Sequence, residues 1–242
     1  MRIALIGTGK MGRELERVAG ERNIQITARL NSANTTLAPF SKDFDVAIHF
    51  ANPDSVVKYV EQCASLKRNI VIGTTGWSQR LGKVWSIVQS ANIGVVHATN
   101  FSVGVNVFFD ILKVASKLFD KFPEYDVFIQ EIHHKDKADS PSGTALTMAE
   151  IMMHEIKRKK QILNGPPTGR IRPDQLHVSS ARAGSVVGTH QVTFDSQADS
   201  IELKHIAKNR SGFAIGALLA AEWVEGKQGM YTMEDVISDV IR

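Results

Sequence analysis

The chain has 242 residues, a formal net charge of +4, 43% hydrophobic residues and 22% charged residues. That apolar content supplies a core without staples, and a lone cysteine, Cys63, cannot form an internal bridge, so no oxidising compartment is required. The charge excess is mild, no Lys/Arg stripe is interleaved with aromatics, and no apolar run is long enough for a bilayer, which argues against nucleic-acid and membrane partners.

In chain order, Ile3–Ile6 is a short apolar strand that runs into glycines, too short for the apolar region of a signal peptide, so the expected location is cytoplasmic. Lys10–Val18 reads as a helix with Met11, Leu15 and Val18 on one stripe. Strands follow at Ile24–Ala28, Val46–Phe50, Asn69–Ile72 and Ile93–Val96, with helices at Ser55–Ser65 and Leu81–Ala91. Cys63 falls inside the first of these two helices and reads as a buried structural thiol. Continuous apolar strands separated by helices predict a doubly wound parallel sheet covered on both faces.

After residue 101 the rhythm changes. Val105–Leu118 is a long helix, and the strands that follow alternate apolar and polar residues, as in Val127, Ile129 and Glu131, then Val192 and Phe194, then Ile201 and Leu203. Alternation predicts a second, α+β domain whose open mixed sheet has one buried face. The basic run Lys157-Arg158-Lys159-Lys160 reads as a solvated helix end, and Phe213–Val224 is an Ala/Leu-rich helix.

Gly7-Thr8-Gly9-Lys10-Met11-Gly12 follows the first strand and opens the first helix. In that context the first glycine permits a tight turn, the second a close backbone approach to pyrophosphate, and the third close packing of helix on strand. The pattern defines a Rossmann-type dinucleotide site. An acidic residue about twenty positions further on usually bonds the NAD ribose. Here the stretch is Arg29-Leu30-Asn31-Ser32. Asn31 is a candidate for a ribose and Arg29 or Lys10 for a 2′-phosphate, so NADPH, NADH or dual use stays open. Gly73-Thr74-Thr75-Gly76 and Asn100-Phe101-Ser102 also follow parallel strands, at the ends where open α/β sheets bind ligands.

The densest polar cluster runs from Glu131 to Thr144. His133, His134 and Lys137 place proton-handling and cationic groups within five residues, and Ser142-Gly143-Thr144 stands at a helix start, a ready anion site. The combination suits a small dicarboxylate that must also receive a proton. Adjacent strand histidines face opposite ways and no metal-ligand spacing is present, so no metal is expected.

These residues resemble the 4-hydroxy-tetrahydrodipicolinate reductase family, also called dihydrodipicolinate reductase. The resemblance rests on Glu131-Ile132-His133-His134-x-x-Lys137-x-Asp139-Ser140-Pro141-Ser142-Gly143-Thr144-Ala145, supported by Val71–Gly76, Asn100–Asn106, Arg182-Ala183-Gly184-x-x-Val187-Gly188-x-His190 and Gly226-Lys227. It implies NAD(P)H-dependent reduction of a cyclic unsaturated dicarboxylate to tetrahydrodipicolinate, on the route to diaminopimelate and lysine. By the same resemblance His133 and Lys137 are catalytic, and His134, Gly143 and Thr144 hold substrate carboxylates. Gly7, Thr8, Gly9, Lys10, Met11, Gly12, Gly73, Thr74, Thr75, Ala98, Thr99, Asn100 and Phe101 hold the cofactor. It further implies a dinucleotide domain of residues 1–101 and 213–242, a substrate and assembly domain of residues 102–212, and a homotetramer. The chain departs from many members in a glycine loop one residue shorter, in Asn31 at the acidic ribose position, and in trimming after the second strand. Two other readings of the residues remain: a Rossmann reductase of another small carboxylate, and a non-catalytic nicotinamide sensor.

Overall fold

The computed structural model describes residues 1–241. In chain order the elements are β1 (Arg2–Ile6), α1 (Lys10–Glu21), β2 (Gln25–Leu30), β3 (Val46–His49), α2 (Val56–Ser65), β4 (Asn69–Ile72), α3 (Leu81–Ala91), β5 (Gly94–His97) and α4 (Val103–Phe119). Then come β6 (Asp126–His133), α5 (Gly143–Glu155), β7 (Gln161–Asn164), β8 (Gln175–Arg182), β9 (Gly188–Asp195), β10 (Ser200–Ala207), α6 (Ser211–Trp223), β11 (Gly229–Thr232) and α7 (Met233–Val240). Two compact units result, one from Met1–Asn106 with the chain from Arg210 onward, the other from Val107–Asn209.

The first unit holds a parallel sheet in the order β11-β5-β4-β3-β1-β2. Its inner strands are short and apolar because helices cover both faces: Ile3, Ala4, Leu5, Val46, Ala47, Ile48, Ile70, Val71, Val95 and Val96 are buried. α1 packs through Gly12, Leu15, Val18 and Ala19. Cys63 is fully buried in α2, and burial pushes its thiol pKa up, as a structural thiol requires. α3 ends on Asn92 in the left-handed region, a conformation asparagine tolerates. The last three elements return to this sheet: α6 packs on β3 and β4, and β11 pairs with β5. β11 and α7 were not read from sequence. α7 opens with a capping box in which Thr232 and Asp235 exchange side chain-to-backbone bonds.

The second unit holds the sheet β10-β9-β6-β8-β7, antiparallel on the β9 side and parallel on the β8 side. α4 and α5 cover one face, where Phe108, Leu112, Met148 and Met152 meet Val127, Ile129, Leu176, Val178, Val192 and Phe194. β6 alternates strictly: Val127, Ile129, Glu131 and His133 are buried, while Gln130 and Ile132 are exposed. A period of two therefore carries two polar residues onto the covered face.

The basic run departs from expectation at Arg158 and Lys159, while Lys157 and Lys160 are exposed and Lys157 bonds the His154 carbonyl at the end of α5. α5 stops at Glu155, and residues 157–160 form a connector tied into the unit. Lys159 is buried, with Nζ 2.5 Å from Asp126 and 2.7 Å from the Gln175 carbonyl, and Arg158 donates to the Phe119 and Tyr125 carbonyls. Bonds to carbonyls across the fold, absent from any local pattern, hold these cations in place. Among the described residues no helix is long and apolar enough to cross a membrane.

Gly216 of α6 lies against the Phe101 carbonyl so closely that an added Cβ would overlap it. Gly216→Ala should therefore destabilise the protein by about 1–3 kcal/mol, since a backbone carbonyl cannot rotate away as a side chain can. A lowered thermal midpoint with an unchanged denaturant m-value is the expected result.

Candidate active site

In the first unit, the ladder aligns Ile6 with Leu30 and His49, His49 with Ile72, and Ile72 with His97. The residues that follow those strands (Asn31, Gly7, Phe50, Gly73 and Ala98) consequently form one row along the carboxyl ends of five adjacent strands. Sheet topology alone assembles the predicted loops here, although they are far apart in sequence.

The glycines differ in their demands. Gly7 has φ +103 and donates its N–H to the Leu30 carbonyl at 2.9 Å. A Cβ on Gly7 would overlap the Phe50 carbonyl, and one on Gly12 would overlap the carbonyl of Gly7. A Cβ on Gly9 would meet nothing within 4 Å, so that glycine faces open space. Gly9 is also the N-cap of α1 and gives its first turn no side-chain bond. Thr8 is partly exposed, Lys10 is exposed and Met11 is half-buried. An exposed helix start without a side-chain cap, preceded by a glycine with room beside it, fits the phosphates of a dinucleotide.

Two residues with no role in the sequence reading shape this row. Phe50 lies against Gly73, where an added Cβ would overlap its ring, and stands edge-on to Phe101 at 6.1 Å. His49 is fully buried and bonded on both nitrogens, with Nδ1 2.7 Å from Thr74 Oγ1 and Nε2 2.9 Å from Ser55 Oγ. Ser55 donates its own proton to the Asn52 carbonyl, so His49 Nε2 is the donor and Nδ1 the acceptor. Thr74 Oγ1 also accepts the Ala51 N–H at 2.9 Å. Its hydroxyl is thus committed within the protein, whereas Thr75 is exposed. Asn100 Oδ1 accepts the Ser102 N–H at 2.9 Å and turns the chain into α4. Thr99 is exposed, Ala98 half-buried and Phe101 buried.

Of the three candidates for cofactor preference, Asn31 and Arg29 are engaged in local bonds. Asn31 Oδ1 accepts the Ala33 and Asn34 N–H groups at 2.9 and 3.2 Å, closing a turn. Arg29 Nε bonds Glu16 at 2.5 Å. Lys10 is exposed at the first position of α1.

In the second unit, β6 ends at a buried Glu131, which is 1% exposed. One carboxylate oxygen contacts His133 Nδ1; the other takes Arg182 Nη2 at 2.7 Å and the Ser142 N–H at 3.3 Å. Burial alone would raise the Glu131 pKa, but the bond and charge of Arg182 with the charge of His133 hold it below the ordinary value. His133 is 8% exposed. Burial lowers its pKa, the Lys137 and Arg182 charges act in the same direction, and Glu131 opposes them. His190 stands edge-on to His133 at 5.1 Å and is pushed down to about 4, first by burial and then by His133. Ser142 caps α5 by accepting the Ala145 N–H, so its hydroxyl proton is available to His190 Nε2 at 3.2 Å.

The loop between β6 and α5 carries the other predicted residues. Lys137 Nζ lies 2.7 and 2.9 Å from the two Asp139 oxygens, and the bond to Lys137 holds that carboxyl below its usual range. Arg182 reaches the Asp139 carbonyl at 2.6 Å. His134 is half-buried, and Gly143 and Thr144 form the first turn of α5. The structure therefore groups His133 with Lys137 and places Gly143 and Thr144 directly after the capping Ser142. Sequence reasoning left Glu131, Arg182 and His190 without roles. The signal for Glu131 was its place on the buried side of β6; Arg182 and His190 come from other strands.

Glu131, His133 and His190 also offer one ligand atom each within 4.8 Å of one another. This is a different set from the adjacent histidines weighed in the sequence. The carboxylate in it is already bonded by His133, by Arg182 and by a backbone N–H, and the neighbouring guanidinium is a poor companion for a dication.

The glycine loop of the first unit, at the carboxyl end of a parallel sheet, is that of a dinucleotide-binding domain, and the second unit separately carries a buried imidazole–carboxylate pair beside a helix start. The N-terminal model of dihydrodipicolinate reductase matches residues 1–101 and the C-terminal model matches residues 104–237. The chain belongs to the dihydrodipicolinate reductase family. The 4-hydroxy-tetrahydrodipicolinate reductase of Christiangramia forsetii is 38% identical, with 100% of both chains covered. That of Rickettsia bellii is 36% identical over 97% of this chain and 93% of its own. Among solved structures, dipicolinate-bound dihydrodipicolinate reductase from Paenisporosarcina sp. TG-14 shares the fold with TM-score 0.78 at 24% identity, covering 97% of this chain and 98% of that one.

His49 and His190 are both held neutral, from an ordinary 6.5 down to about 4. Between those values the unfolded chain binds protons that the folded one does not. Stability from this source is complete above about pH 6.5 and declines as pH falls toward 4, by about 2 kcal/mol per histidine on reaching about pH 5. Thermal denaturation at several pH values should show the decline, and His49→Gln should flatten it while lowering stability at neutral pH.

Proposed function

We propose that His133 and Lys137 handle the proton in the reaction of this chain, the NAD(P)H-dependent reduction of 4-hydroxy-tetrahydrodipicolinate to tetrahydrodipicolinate on the diaminopimelate route to lysine, in which the hydroxyl leaves as water and the resulting dihydrodipicolinate takes one hydride and one proton. The observation that carries the assignment is the Glu131–His133 pair, buried at the end of β6 and followed by the start of α5. Gly7–Gly12, Gly73–Thr75 and Ala98–Phe101 hold the cofactor, Thr74 through its backbone because its hydroxyl already bonds His49 and Ala51. The reduced nicotinamide supplies hydride when bound.

The protein's own residues do the rest. The Gly143 and Thr144 N–H groups, at the positive end of α5, receive one carboxylate of the substrate, and His134 contacts another. Lys137 draws anionic substrate and donates a proton. His133 holds or releases a proton at its ring edge, and burial, by disfavouring the charged ring, favours release of that proton. Residues 1–101 with 213–242 serve the cofactor, and residues 102–212 serve substrate and assembly.

Both NADPH and NADH are used. Lys10 is the cation exposed at the phosphate-binding turn, while Arg29 is paired with Glu16 and no carboxylate stands at Asn31 to repel a 2′-phosphate. The chain assembles as a cytoplasmic homotetramer through the uncovered face of the second sheet. There the ladder aligns Ile132 with Thr189 and Thr189 with Ile206, and both isoleucines are exposed.

The test generates the substrate in place from pyruvate and aspartate semialdehyde and follows loss of NADPH and NADH separately. Substrate-dependent oxidation of both is expected; cofactor binding without turnover would favour a sensor. His133→Gln or Lys137→Ala should lower kcat by roughly a hundredfold, the scale for loss of a positioned proton donor, with cofactor Kd little changed. Loss of cofactor binding in either variant would mean that the site is misplaced. Ile206→Asp should shift the sedimenting species from tetramer to smaller forms.

A further inference from the structure

We infer that Glu131 and Gly188 are positioning residues for the His133 proton: Glu131 takes the Nδ1 side of the ring, which makes Nε2 the exchanging atom, and Gly188 keeps that atom uncovered. The inference rests on the reading of His133 as the proton-handling group and names the atom and the supports it uses.

Glu131 and His133 are two apart on one strand and so share its buried face. The carboxylate is kept ionised by Arg182 and accepts only, so the nitrogen in contact with it carries a hydrogen. In the neutral ring the lone pair then sits on Nε2; in the cation the removable proton sits there. Without this contact the two tautomers would compete, and part of the population would present the wrong nitrogen.

At the opposite edge stands Gly188, the first residue of β9. A Cβ built there would lie 3.0 Å from His133 Nε2 and 3.3 Å from Cδ2. Its backbone does not need glycine, since the positive-φ glycines are Gly7, Gly76, Gly165, Gly184, Gly226 and Gly229. The space beside Nε2 is the feature that glycine preserves. Any larger residue would press on the proton-transfer atom or tilt the ring away from Glu131.

The groups facing the ring come from each neighbouring segment: Glu131 on β6, Lys137 in the following loop, Arg182 on β8 and His190 on β9. Of these groups, Glu131 alone stabilises the charged ring. Glu131→Gln keeps the shape and removes that charge, so the pH limb belonging to His133 should move to lower pH while kcat falls about ten- to a hundredfold. Gly188→Ala should lower kcat on the same scale, with cofactor Kd and substrate KM changed less than about threefold.

Nitrogen-15 NMR of His133 in the unaltered enzyme reads the tautomer directly and does not depend on any variant folding. A ring protonated at Nδ1 is expected; one protonated at Nε2 at neutral pH would overturn the inference. So would unaltered kcat and pH profile in Glu131→Gln, or unaltered kcat in Gly188→Ala. His133→Gln separates the two levels. If it stays active, the His133 reading itself is wrong. If it is inactive while Glu131→Gln and Gly188→Ala keep full activity, only the positioning inference fails.

Discussion

A buried carboxylate must be bonded on every side or it will not stay charged, and the second unit is organised around that demand at Glu131. The strand that carries Glu131 also supplies His133, two positions on. β8 supplies Arg182, and the N-cap of α5 supplies a backbone N–H. One charge thereby joins an imidazole ring, a strand end and the start of a helix. Arg182 extends the network to the Asp139 carbonyl, which ties down the loop that carries Lys137. The loop of titratable and cationic groups is thus anchored to the sheet at both ends.

The first unit solves a related problem without charge. The row of strand ends needs close backbone approaches, and a neutral imidazole holds two of its turns together. His49 bridges Ser55, which opens α2, and Thr74, whose hydroxyl also takes the Ala51 N–H. A fully bonded neutral ring gains nothing from a second proton, in keeping with its lowered pKa. Phe50 completes the row by lying against Gly73 and Phe101. The two units use histidine in opposite senses. His49 is locked by partners on both nitrogens, while His133 is bonded at one edge and left uncovered at the other.

What a single sequence could determine here follows from local periodicity and from motifs that act through local geometry. The buried apolar strands β1, β3, β4 and β5, the alternation in β6, and the glycine turn at Gly7–Gly12 each have a physical cause contained within a few residues. The Glu131–Thr144 cluster was legible because strand, loop and helix start follow one another directly, and this cluster also carried the family resemblance. β11 escaped because Gly229–Thr232 is short and half-buried, with no apolar run to mark it. In the basic run at 157–160, exposed Lys157 does bond the His154 carbonyl at the end of α5, but the anchoring of Arg158 and Lys159 was not legible because their partners, Asp126, the Gln175 carbonyl and the Phe119 and Tyr125 carbonyls, lie far away in the chain.

The tertiary structure decided which polar groups meet. It joined Arg182, Ser142 and His190 to the Glu131–His133 pair, committed the Thr74 hydroxyl to His49, and engaged Asn31 and Arg29 in local bonds. Periodicity tells a strand which face its side chains take, and so it placed Glu131 and His133 on the covered side. Only the pairing of β6 with β8 and β9 determines what stands opposite them, because strand order and register are properties of the whole sheet and leave no mark within one strand.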